Sequence, residues 1–177
     1  MGVVERNADS SGRKTSYRLN SAAWELFPVI DSLTRWGAKW AFGEPEPSEL
    51  NPVLLLWWMR DRVHLERLPN RRIVVEFKFR DVRPKCYWLV LNPGDVSVCI
   101  KHPGFDIDVV VSADLAAFYE VWMGRITFTQ AMQDQRLELD AAPSLVRAFP
   151  KWFALSQVAR VVRAVANSGS SQKSPFH

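Results

Sequence analysis

Two histidines, His64 and His102, and three carboxylates, Asp106, Asp108 and Asp114, have side chains of the type used for proton transfer or metal binding. Their spacing argues against both. Asp106 and Asp108 stand two apart on one face of a strand, facing solvent. Asp114 sits at a helix start, where an acid stabilises the dipole. His102 falls in a turn, and His64 near a helix end, where positive charge is favourable. No nucleophile–base pairing signature is present. Cys86 and Cys99 have neither metal-ligand spacing nor a disulfide framework, and both lie in apolar, strand-like runs as small hydrophobes. The chain is therefore expected not to be an enzyme, with no catalytic residue, metal or cofactor.

Two other groups of side chains invite a binding function. Arg6, Arg13, Lys14 and Arg18 cluster on one hairpin and could contact phosphates, or could be an ordinary solvated hairpin tip. Lys151, Arg160, Arg163 and Lys173 make the region after Pro150 purely basic, which reads first as a solvated helix face and loose tail. Trp57, Trp58, Phe77, Phe79, Trp88, Phe118, Trp122 and Phe128 form the second group. Any one of them reads as core; as a set they read as the lining of an apolar pocket.

The totals fit this emphasis. The 177 residues are 47% apolar and 12% aromatic, with 8 Trp, more than a small core needs. Such a chain buries a sizeable core and forms one large domain, or a medium domain with an appendage. The net charge is +4 with a pI near 9.3, mildly basic. Met1 to Arg6 leads straight into polar sequence, so no signal peptide is read. The longest apolar run, Val53 to Met59, falls far short of the ~20 residues that span a bilayer. A soluble, cytoplasmic protein is expected.

The elements that must position these residues begin with a hairpin, Gly2 to Arg6 and Thr15 to Leu19, around the polar loop NADSSGRK. Asn20 is a good N-cap. After it Leu26, Val29, Ile30, Leu33, Trp36 and Trp40 recur at helical spacing, with Pro28 predicted to kink or break the helix. GEPEP, residues 43–47, reads as a linker. Glu49 to Arg62 reads as a helix apolar nearly all round.

Ile73 to Arg80 alternates as a half-buried strand, with Ile73, Val75, Phe77 and Phe79 on one side. Cys86 to Leu91 is apolar on both faces. Val96 to Lys101 and Phe105 to Val111 alternate again, with turns at Asn92–Asp95 and His102–Gly104. Four strands joined by tight turns predict an antiparallel meander. Ser112 then caps a helix carrying Leu115, Phe118, Tyr119 and Trp122 and ending at Gly124. Thr127 caps a short helix. Arg136 to Leu139 is a fifth strand, Pro143 to Phe149 a last short helix, and Leu155 to Val165 an amphipathic one.

Two resemblances follow. From Ser112 to Phe149 the order is a helix, Gly124-Arg125-Ile126, a capped short helix with Gln130-Ala131, a strand, then Pro143 and Leu145 leading to Phe149. Behind a meander, this is similar to the sterol carrier protein type of lipid-binding domain. The resemblance implies an apolar tunnel between sheet and helices, and no catalytic residues. From Gly2 to Trp40, GVVER, a polar loop, TSYRLN and ELFPVIDSLTRWG resemble the wing and following helix of HxlR-type winged-helix transcription regulators. That resemblance implies phosphate contacts from the wing arginines and lysine, and a dimerisation helix presenting Leu26, Ile30, Leu33 and Trp36. The helix-turn-helix expected before the wing is missing, so DNA would be bound only if it were supplied.

The combined expectation is an α+β protein: an antiparallel sheet of about five strands with helices on one face, preceded by a wing hairpin and a long helix. Residues 1–43 would be a partial winged-helix segment, 48–166 a sterol-carrier-like domain and 167–177 a disordered tail. The function expected is that of an HxlR-type transcriptional regulator, or the C-terminal fragment of one, homodimeric and sensing an apolar small molecule or lipid. The alternative is a free-standing, non-catalytic carrier of such ligands.

Overall fold

A computed structural model of the chain describes residues 3–8, 15–40, 46–84 and 86–170. The chain divides into two compact units, Met1–Phe42 and Gly43–His177.

The first unit is an antiparallel hairpin of β1 (Val4–Ala8) and β2 (Thr15–Leu19), followed by α1 (Ser21–Trp40). Asn20 caps α1 as expected, its Oδ1 accepting from the Ala23 N–H at 3.1 Å. The helix runs through Pro28 without ending. Asp31 and Arg35 pair at 2.9 Å one turn apart on its polar side. Leu26, Ile30, Leu33 and Trp36 all lie exposed.

The second unit opens with α2 (Pro52–Arg60), capped by Asn51, whose Oδ1 accepts from Leu54 N–H at 3.0 Å. A sheet follows, formed by β3 (Ile73–Phe79), β4 (Cys86–Asn92), β5 (Asp95–Cys99) and β6 (Val109–Ala113). Next come α3 (Leu115–Trp122), α4 (Phe128–Gln133), β7 (Leu137–Ala141), α5 (Pro143–Ala148), a short turn at Phe149–Lys151 and α6 (Ala159–Ser170). α6 thus extends into the stretch read as a tail. The unit has the expected α+β class, with five strands ordered β5-β4-β3-β6-β7.

The strand arrangement differs from the antiparallel meander. β3, β4 and β5 form one, but β6 lies beside β3 in parallel, Val75 opposite Val109 and Phe79 opposite Ala113. The sheet is therefore mixed. The cause lies in residues 100–108. They do not close a hairpin but carry the chain back past β4 and β3, and Asp108 fixes its arrival. The Asp108 N–H donates to Val74 O at 2.9 Å, and its Oδ2 accepts from Val74 N–H at 2.8 Å. Phe105 and Ile107 consequently precede the strand rather than forming it.

Two local expectations also change. Ser112 belongs to β6, and Asp114 takes the N-cap position of α3 without a side-chain cap bond. Asp81 supplies that bond instead, its Oδ1 accepting from Leu115 N–H at 3.0 Å. The Thr127 cap is present, as a reciprocal capping box with Gln130. Gly124 closes α3 with φ +77°, a conformation that glycine adopts without penalty.

Candidate functional site

The alternation of β3 turns Phe77 and Phe79 to the sheet face that the helices cover, together with Tyr87, Leu89 and Leu91 from β4. α3 lays Phe118 across them, with ring centroids 5.5 Å from Phe77 and 6.1 Å from Phe79. α4 adds Phe128, 6.1 Å from Phe118. The turn after α5 adds Phe149, whose ring meets Phe77 at 6.5 Å, Phe128 at 5.8 Å, Trp152 at 5.7 Å and Phe153 at 5.3 Å. Most of these contacts are edge-to-face, the arrangement that aromatic quadrupoles favour. Among the described residues no polar or charged side chain is buried.

α2 faces this core on one side. Leu55, Leu56 and Met59 are buried, whereas Leu54, Trp57 and Trp58 are 44–46% exposed. The helix is tied down at both ends. Tyr119 Oη donates to Asn51 O at 3.1 Å and accepts from Asn51 N–H at 3.4 Å. Arg60 Nε donates to Val96 O at 2.8 Å while its guanidinium lies over Trp57. Burial pushes the Tyr119 hydroxyl up, and the Asn51 backbone bond partly offsets this.

The eight aromatics expected to line one pocket therefore fall in three places. Phe77, Phe79, Phe118, Trp122 and Phe128 belong to the core or pack against it. Trp57 and Trp58 lie on the outer side of α2. Trp88 is on the opposite sheet face, since it pairs with Glu76 and Cys99, and it packs 5.5 Å from the His102 ring. Sequence reasoning missed Phe149, Trp152 and Phe153 as site residues. Their i, i+3, i+4 spacing in one short segment was the available signal.

Of the candidate DNA contacts, Arg6 and Arg18 are not brought together. Arg6 faces Tyr17 and Arg18 faces Glu5 across the hairpin, so the two arginines point to opposite faces. Arg13 and Lys14 lie outside the described residues.

The side chains with acid–base chemistry are engaged locally. Asp108 pairs with Arg71 at 2.6 Å as well as holding Val74. His102 Nδ1 accepts from Gly104 N–H at 3.1 Å, and His64 lies 3.2 Å from Glu66. No group of three His, Cys, Asp or Glu side chains among the described residues could hold a metal. An open groove of about 380 Å³ on the outer sheet face is lined by Lys78, Phe79, Arg80, Cys86, Ser112 and Glu138. Its cations are already paired, Lys78 with Glu76 at 3.0 Å and Arg80 with Glu138 at 3.1 Å. Burial, reinforced by Glu76, pushes the Cys86 thiol up, which opposes nucleophilic use.

No family model matches the chain, and no curated protein matches it in sequence. Solved structures do. An inverting sec-alkylsulfatase from Pseudomonas sp. matches at 16% identity and TM-score 0.50, over 63% of this chain and 17% of that one, so the likeness spans a small part of the longer protein. Sterol carrier protein 2 from Yarrowia lipolytica matches at 19% identity and TM-score 0.36, over 68% of this chain and 90% of that one. Sterol carrier protein-2 like-3 from Aedes aegypti matches at 12% identity and TM-score 0.41, over 58% and 95%. These are likenesses of fold. No helix among the described residues is long and apolar enough to cross a membrane.

Proposed function

We propose that the second unit is a lipid-binding carrier domain of the sterol-carrier type, which takes up an apolar molecule and holds it without transforming it. One observation carries this reading: an aromatic core that buries no charged side chain among the described residues, closed on one side by a short helix that is apolar on both of its faces. Leu55, Leu56 and Met59 seal the core from within, and Leu54, Trp57 and Trp58 present an apolar surface outside. A ligand that enters beneath α2 exchanges one apolar contact for another. The order of elements from Ser112 to Phe149 is the one that the sterol-carrier resemblance implies.

The test is intrinsic tryptophan emission during titration with dodecanol and with a sterol. Trp122 and Trp152 lie in the core and report on it. A saturable change is expected; a flat response to both would remove the reading.

The transcription-regulator reading is not part of this proposal, because Arg6 and Arg18 diverge. The α1 stripe remains the proposed face of a homodimer. Leu26, Ile30, Leu33 and Trp36, with Trp24, Phe27, Val29 and Trp40, are exposed on one helix. Sedimentation equilibrium should show a dimer that Leu33→Glu dissociates; a monomer in the unsubstituted chain refutes the dimer.

A further inference from the structure

Among the described residues two buried indole N–H groups meet no acceptor, that of Trp88 on the outer sheet face and that of Trp152 on the helix-covered side. Trp152 is fully buried, and its Nε1–H meets no acceptor. The backbone of the residue is held on both sides. The Trp152 carbonyl accepts from His64 N–H at 2.7 Å, its N–H donates to Phe149 O at 3.1 Å, and Ala154 N–H donates to Arg62 O at 2.8 Å. Val63 and Phe153 form an antiparallel bridge beside it. A phenylalanine there would fill apolar space with no N–H to desolvate. Native cores seldom keep an orphan donor unless water or a ligand completes it.

We infer that Trp152 Nε1 is the polar anchor of the ligand site, and that the ligand is a neutral apolar molecule bearing an acceptor oxygen: an alcohol, ketone or ester. This rests on the carrier reading and narrows it. Phe149, 5.7 Å from the indole ring, and Phe77 beyond it supply the apolar contacts for the hydrocarbon part. Neutrality follows from the surroundings. Among the described residues the core buries no cation, so an ionised carboxylate would be desolvated without compensation. Two cations bond this segment, and both donate to its carbonyls: Arg62 Nε to Leu155 O at 2.6 Å and Arg67 Nη1 to Lys151 O at 3.3 Å.

The experiment measures binding of dodecanol, dodecane (delivered from cyclodextrin) and dodecanoate at about pH 8, where a carboxylate is ionised. Trp152→Phe is the variant. Dodecanol should bind the unsubstituted protein more tightly than dodecanoate does. The variant should lose about three- to tenfold in dodecanol affinity, the effect of one hydrogen bond, and nothing for dodecane. Equal losses for dodecanol and dodecane, or no loss, overturn the anchor. Tighter binding of dodecanoate overturns the neutral class. Failure of all three to bind overturns the carrier reading itself.

Should the variant not fold, the unsubstituted protein labelled with 15N-tryptophan decides. The indole proton of Trp152, identified by its proximity to the Phe149 ring, should move downfield with dodecanol and stay in place with dodecane. An indole proton unmoved by dodecanol, or moved alike by both, overturns the anchor.

Discussion

Phe149→Ala is expected to destabilise the second unit by about 3–5 kcal/mol, the range for emptying a fully buried aromatic site. The ring touches Phe77, Phe128, Trp152 and Phe153 and has no exposure to solvent. It joins the sheet, α4 and the C-terminal segment at one point, so the core has no single neighbour that can collapse into the space. Urea unfolding followed by far-ultraviolet circular dichroism measures the effect. A loss under about 1 kcal/mol would mean that the site relaxes freely and the core is looser than its geometry.

Gly124→Ala is expected to destabilise by about 2–4 kcal/mol, through two additive causes. The backbone has φ +77°, where a side chain is strained. A Cβ would also lie 2.8 Å from Ala159 Cβ and 3.1 Å from Ala159 O, at the start of α6. Gly94→Ala and Gly104→Ala separate the two causes. Both glycines have positive φ, yet a Cβ on either meets nothing within 4 Å. Each should lose only the backbone component, about 1 kcal/mol. If all three variants lose the same amount, the packing of α6 on the α3 terminus contributes nothing.

Much of the second unit is legible in its residues. The alternation of Ile73, Val75, Phe77 and Phe79 fixes which face of β3 is buried. Gly124 and the Thr127–Gln130 pair mark helix ends by local chemistry, which survives any tertiary context. Strand partners are a different matter. Periodicity reports that Val109 to Ala113 is extended, but not that it lies beside β3 in parallel; that depends on Asp108 reaching Val74, a contact between residues far apart in sequence. Trp88 shows the same limit. β4 is apolar on both faces, so its pattern cannot say which face meets the helices. The outer face is apolar because residues 100–108 cross it, with His102 against Trp88. Phe149, Trp152 and Phe153 were hidden for another reason: the segment is too short to show a period, and only their close spacing signals burial. On the hairpin, four cations close in sequence suggested a patch, but strand alternation sends Arg6 and Arg18 apart.

The central claim is that the second unit takes an apolar ligand into its aromatic core. Native mass spectrometry of the full chain, after incubation with dodecanol and a sterol, tests it most directly. The account predicts a species one ligand heavier that saturates at one molecule per chain. Unliganded protein alone, at ligand concentrations that saturate other lipid-binding proteins, would contradict it.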